Sequence, residues 1–81
     1  MIFEKTEVCK EFARLIEIVR TLRGSDGCEW DRAQTSTSLA PYFLEEAYET
    51  IEAIHDEDYT KIKEEMGDLL LHIVFQSAIA E

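Results

Sequence analysis

With 81 residues the chain makes one domain at most, and a lone copy of this size buries only about 60–65% of its unfolded surface, so a compact monomer is marginal. Its formal charge of −10, from 18 acidic against 8 basic residues, speaks against nonspecific nucleic-acid binding, which needs clustered Lys and Arg, and favours cations as partners. No apolar run approaches the roughly 20 residues that span a membrane, and the opening Met1-Ile2-Phe3-Glu4-Lys5-Thr6-Glu7 lacks the basic and then apolar order of a secretory leader. No membrane partner is expected, and the expected compartment is the cytoplasm.

The first predicted helix runs from about Thr6, a candidate N-cap, to Leu22. Val8, Phe12, Leu15, Val19 and Leu22 recur at alternating steps of four and three and form one apolar stripe. The strong breakers follow between Gly24 and Thr37, in Gly-Ser-Asp-Gly-Cys-Glu-Trp-Asp. A second helix starts near Ser38, tolerates Pro41 in its first turn and continues to about Ile54; the turn at His55-Asp-Glu-Asp58 ends it. The third starts after Asp58 and runs to the end of the chain. No alternating strand pattern or internal repeat competes, so residues 1–81 are expected to form a single all-α domain. Cys9 and Cys28 lack the CxxC spacing of a zinc or redox site and read as two reduced thiols.

On a helical wheel the second helix presents Leu44, Ala47, Tyr48, Ile51 and Ile54 on one side, expected to be buried, and crowds Glu45, Glu46, Glu49, Glu52 and Asp56 on the other. Like charges three and four residues apart repel, and taken alone this row reads as a solvated face. The third helix changes the reading. From Met66 to Ala80 it is apolar nearly all round, the mark of a helix enclosed by protein, yet Lys61, Glu65, Asp68 and His72 fall within about 40° of one another on the wheel. Glu65 and Asp68 are therefore expected to be partly buried. Ionised carboxylates in such a place cost several kcal/mol unless paired or bound to a metal. The short Asp56-Glu57-Asp58 turn makes the two helices antiparallel and brings both acidic strips together. An all-carboxylate donor set suits Mg²⁺, with Mn²⁺ as a substitute, whereas zinc favours Cys and His. Magnesium bound through few carboxylates usually shares its remaining positions with water and substrate phosphates.

At these residues the chain resembles a known family. Glu45-Glu46-Ala47-Tyr48-Glu49 followed by Glu65-Met66-Gly67-Asp68 is similar to the EExxE…ExxD pattern of the MazG-type nucleoside triphosphate pyrophosphohydrolases. Cys28-Glu29-Trp30-Asp31, Gln34-Thr35, Ser38-Leu39, Pro41-Tyr42, Leu44 and Gly67-Asp68-Leu69-Leu70-Leu71 resemble the wording around it. The resemblance implies hydrolysis of an NTP or dNTP between its α and β phosphates, with Glu46, Glu49, Glu65 and Asp68 as Mg²⁺ ligands. It implies that Lys61 approaches the phosphates and that Glu45 supports the ligands or activates water. Two departures, Glu29 where the family usually has Pro and Ser36 where it often has His, bear on the loop's substrate contacts. The helical pattern reaches Glu81 without a capping signal, where the family continues into a further C-terminal helix carrying basic residues.

Other residues carry two readings each. Trp30 is a nucleobase-stacking candidate or a loop anchor; His72 is a ligand or, more in keeping with its place on the helix, a core histidine hydrogen-bonded to a neighbour; His55 sits where it would cap the last carbonyls of the second helix and meet its dipole. A carboxylate-bridged di-iron bundle needs Glu-x-x-His on two helices, and neither histidine lies three residues after a Glu. A noncatalytic helical interaction module, or a truncated relative of the enzymes, is the alternative to a hydrolase. The third helix is apolar on more faces than two partners in one small monomer cover, so a four-helix-type bundle completed by a second copy, in a homodimer or homotetramer, is expected.

Overall fold

The computed structural model describes residues 5–81; Met1–Glu4, on which the reading of the chain's opening partly rests, lie outside the described residues. Four helices follow one another: α1 (Lys5–Leu22), α2 (Glu29–Ala33), α3 (Ser36–His55) and α4 (Tyr59–Ile79), with no strand among the described residues. They fall into two compact units, residues 1–33 and 34–81. The all-α expectation is met. Thr6 lies inside α1 rather than at its cap, and the breaker region holds the short α2 that hydrophobic periodicity cannot detect in five residues.

In the first unit the stripe of α1 is unevenly used. Val19 is fully buried and Leu15 and Leu22 are half-buried, whereas Val8 and Phe12 are exposed. The chain then turns tightly: Cys28 N–H donates to Leu22 O at 2.9 Å, and a Cβ at Gly27 would stand 2.1 Å from Thr21 O, so only glycine fits. Arg32 Nη1 donates to Gly24 O at 3.0 Å and to Ser25 O at 3.2 Å, and Arg23 Nη1 to Asp31 O at 2.8 Å. These bonds tie both arginines to carbonyls of the turn and of α2.

The second unit is a helical hairpin. Helix α3 begins at Ser36, two residues before the expected start, because Thr35 and Ser38 form a reciprocal capping box, Ser38 N–H to Thr35 Oγ1 at 3.0 Å and Thr35 N–H to Ser38 Oγ at 2.9 Å. Pro41 consequently lies beyond the first turn, inside the helix, where its missing N–H removes one backbone bond. At the other end the N–H groups of Asp56, Glu57 and Asp58 satisfy the last carbonyls of α3, with Glu57 at φ 53°, and the Asp58 carboxylate caps α4 by accepting from Lys61 N–H at 3.1 Å. Helices α3 and α4 then pack against each other.

Their seam corrects the expected burial of α3. Leu44, Tyr48, Ile51 and Ile54, expected inside, are 45–66% exposed, and Ala47 is only half-buried. The protected stripe is Leu39, Phe43, Glu46, Thr50 and Ala53, again at alternating steps of four and three. Amphipathicity identifies the more apolar face, but the neighbour within the unit covers the face whose small Thr50 and Ala53 let a second helix approach. On α4 the matching stripe is Ile62, Glu65, Leu69, His72 and Gln76. Of the polar strip expected there, Glu65 is buried and His72 half-buried; Asp68, expected to be partly buried, is exposed, as is Lys61.

Candidate metal centre

Midway along the seam three carboxylates converge. Glu46 and Glu49, one turn apart on α3, and Glu65 on α4 each bring an oxygen within 4.8 Å of the other two. Glu65 is only 9% exposed, and Glu46 and Glu49 are half-buried. Glu46 Oε2 and Glu65 Oε2 are buried without a hydrogen-bond partner, although an ionised carboxylate can only accept. Three anionic groups this close, two with unsatisfied buried oxygens, form an arrangement that apolar packing alone does not stabilise.

The titration behaviour follows from this crowding. Burial raises the Glu46 carboxyl above the ordinary glutamate value, and the charges of Glu49, Asp68 and Glu45 add to it, while a bond from Glu65 works the other way. Glu49 is raised first by donating to Glu65 and then by burial; the charge of Lys61 opposes this. Glu65 is raised by burial, by its bond to Glu46 and by the charges of Glu46 and Asp68. All three carboxyls are therefore harder to ionise together than an isolated glutamate. A hard divalent cation supplies positive charge at the same place without occupying it with protons, and three or four carboxylate oxygens suit such an ion.

The residues singled out from sequence are placed as follows. Glu46, Glu49 and Glu65 meet. Asp68 stands one turn nearer the hairpin's open end, its charge felt at both Glu46 and Glu65. Lys61, one turn before Glu65, is felt at Glu49, and Glu45 is exposed beside the cluster. Trp30 lies on α2 in the first unit, 55% exposed. The half-buried His72 ring meets Phe43 edge-on, with centroids 6.1 Å apart and planes at 85°. His55 is the last residue of α3 and is exposed, the final carbonyls being satisfied by backbone N–H groups instead. Cys9 and Cys28 are free thiols. Sequence reasoning missed Thr50, buried on the seam one turn after Glu46; the steps of four and three through Leu39 and Ala53 are the signal that points to it.

The second unit is thus a capped helical hairpin with a cluster of three carboxylates on its seam. Residues 34–81, which are the second unit, match the MazG nucleotide pyrophosphohydrolase domain, and the chain belongs to that family. Among curated proteins, the nucleoside triphosphate pyrophosphohydrolase/pyrophosphatase MazG of Thermotoga maritima is 52% identical over 69 residues, covering 85% of this chain and 27% of the relative. The nucleoside triphosphate pyrophosphohydrolase of Escherichia coli is 45% identical over 69 residues, covering 84% of this chain and 26% of its own. Protein YabN of Bacillus subtilis is 46% identical over 71 residues, 88% of this chain and 14% of its own. The chain thus spans about a quarter or less of the length of these relatives. No solved structure matches it significantly. No helix among the described residues is long and apolar enough to cross a membrane.

Proposed function

We propose that this chain carries the metal and phosphate site of a Mg²⁺-dependent nucleoside triphosphate pyrophosphohydrolase, which converts an NTP or dNTP and water into the monophosphate and pyrophosphate. The observation that carries the proposal is the convergence of Glu46, Glu49 and Glu65 with two buried, unpartnered carboxylate oxygens. Those three residues, with Asp68 swinging in from its exposed position one turn away, would hold Mg²⁺, or Mn²⁺ in its place. The ion supplies charge neutralisation at the phosphates and a more acidic bound water.

The protein's own contribution is position and charge. Lys61 is exposed near the Glu49 end of the cluster, where its ammonium can meet a triphosphate. Glu45 stands beside the ligands and is suited to orient a ligand or to accept a proton from attacking water. Trp30, an exposed aromatic on α2, offers a face on which a nucleobase can stack. Among the chain's relatives, names such as nucleoside triphosphate pyrophosphohydrolase support this substrate class. The cytoplasm is the compartment in which such a substrate is met.

The exposed apolar stripe of α3, Leu44, Tyr48, Ile51 and Ile54, and the exposed Met66, Leu70 and Ile73 of α4 support assembly with a second copy, which would complete a four-helix-type bundle as a homodimer or homotetramer. One sample tests the whole reading: light scattering at micromolar concentration, then incubation with mixed NTPs and Mg²⁺ and assay of pyrophosphate. An oligomer that releases pyrophosphate, and an Asp68→Asn variant that does not, are expected. Orthophosphate as the product overturns cleavage between the α and β phosphates in favour of a phosphatase, and no product at all leaves a noncatalytic interaction module. A stable folded monomer contradicts the assembly.

A further inference from the structure

We propose that Thr50 is a positioning residue for the metal centre, its buried hydroxyl bracing the one turn of α3 that carries both Glu46 and Glu49. Thr50 is only 4% exposed, and its Oγ1 donates to Glu46 O at 2.7 Å. That bond runs from Glu46 to Thr50 and so encloses Glu49. It is an additional bond on a carbonyl of the helix ladder, of the kind that tilts the carbonyl and bends the helix slightly. Thr is β-branched, so its χ1 is confined to few rotamers, and a hydroxyl that has spent its one donor has a fixed direction.

The turn needs such a brace. Glu46 and Glu49 sit three residues apart with carboxylate oxygens within 4.8 Å of each other, and Glu46 also buries an unpartnered oxygen. Repulsion of this kind drives the two side chains apart and loosens the turn between them. A ligand set, by contrast, works only when held within about 0.5 Å of its productive geometry. Thr50 is also small enough to sit on the seam without pushing α4, and therefore Glu65, away. The inference rests on the metal site proposed above, but concerns how that site is held rather than what it hydrolyses.

The test reads metal binding directly, from the loss of the free Mn²⁺ electron paramagnetic resonance signal, together with melting temperature in EDTA. Thr50→Val keeps the shape and removes the hydroxyl; Thr50→Ser keeps the hydroxyl. Ser77→Ala removes an equivalent back-bond, Ser77 Oγ to Ile73 O at 2.9 Å, at an exposed position away from the cluster. Thr50→Val is expected to melt in EDTA close to the wild type while its Mn²⁺ dissociation constant rises roughly tenfold or more, and Thr50→Ser to stay within about twofold of the wild type. Ser77→Ala is expected to bind Mn²⁺ normally. Wild-type affinity in Thr50→Val overturns the proposal, as does a loss in Thr50→Ser equal to that in Thr50→Val, or wild-type protein that binds no Mn²⁺. If Thr50→Val fails to fold, Thr50→Ala serves in its place with the same criterion. Absence of pyrophosphate release with normal Mn²⁺ binding sinks the hydrolase reading and leaves this result intact.

Discussion

The open end and the middle of the α3–α4 seam are both polar, and they are polar in opposite ways. At the open end Ser36 Oγ donates to Gln76 Oε1 at 2.5 Å and Gln76 Nε2 returns the bond to Ser36 O at 3.1 Å, so donor and acceptor are matched across the two helices. In the middle, one turn beyond the Phe43–His72 ring contact, only carboxyl groups meet, and Glu46 Oε2 and Glu65 Oε2 go without partners. A polar pair that satisfies itself fastens a fold; a buried cluster that cannot do so raises the energy of the empty site and lowers it when a cation arrives. On the proposed function, the open end serves stability and the middle serves metal binding, so each region is expected to respond to its own substitutions.

The largest expected effect is at the middle. Glu65→Gln removes the most buried carboxylate and replaces it with an amide able to donate to Glu46. In EDTA it is expected to melt at or above the wild-type temperature. A bound ion at about 100 times its dissociation constant stabilises the wild type by roughly 2.7 kcal/mol, on the order of a 10–20 °C rise in melting temperature for a domain this small. Glu65→Gln is expected to lose that rise, whereas Glu57→Gln, in the turn, keeps it. Calorimetric melts with and without Mg²⁺ decide the matter, and a full Mg²⁺ shift in Glu65→Gln would remove it from the ligand set.

At the open end the expectation is reversed. Gln76→Ala breaks both bonds to Ser36 and is expected to destabilise the protein by about 1–2 kcal/mol, since each such bond contributes roughly 0.5–1.5 kcal/mol net. The Mg²⁺-dependent shift should remain. Equal sensitivity of the shift to Gln76→Ala and to Glu65→Gln would mean that the two ends are one structural unit.

A smaller effect is expected from pH. Glu46, Glu49 and Glu65 all titrate above the ordinary glutamate range in the folded, metal-free protein. The folded state therefore holds protons that the unfolded chain has released. The stability this contributes is fully present below the unfolded value and is lost as pH rises through the raised folded values. Metal-free protein is expected to melt lower as pH climbs from the glutamate range towards neutrality, and Glu65→Gln to weaken that dependence. The opposite slope in wild type, by thermal melts in EDTA, would show that the cluster is not protonated together.

Much of this site could be read before any coordinates. The spacing of Glu46 and Glu49, and of Glu65 and Asp68, puts each pair one turn apart on a helix, and the short Asp56–Asp58 turn makes the helices antiparallel; Glu46, Glu49 and Glu65 do meet, while Asp68 stays exposed one turn away. Thr50 was missed because its stripe through Leu39 and Ala53 is less apolar than the one through Leu44 and Ile51, and only the packing of α4 shows which of the two is covered. Helix α2 was hidden among breakers, and the start of α3 moved because two residues, Thr35 and Ser38, both have capping side chains and the reciprocal pair prevails.

By itself the sequence determined the helical class, the acid pairs and the turn that joins them, because those depend on local periodicity and capping chemistry. The tertiary structure alone decided which face of α3 turns inward. Amphipathicity measures how apolar a face is, and that quantity was right: Leu44, Tyr48, Ile51 and Ile54 do form one stripe. What covers a face depends on the shape and position of a neighbour distant in sequence. Here α4 takes the stripe with small Thr50 and Ala53, which brings Glu65 between Glu46 and Glu49 and leaves the more apolar stripe exposed.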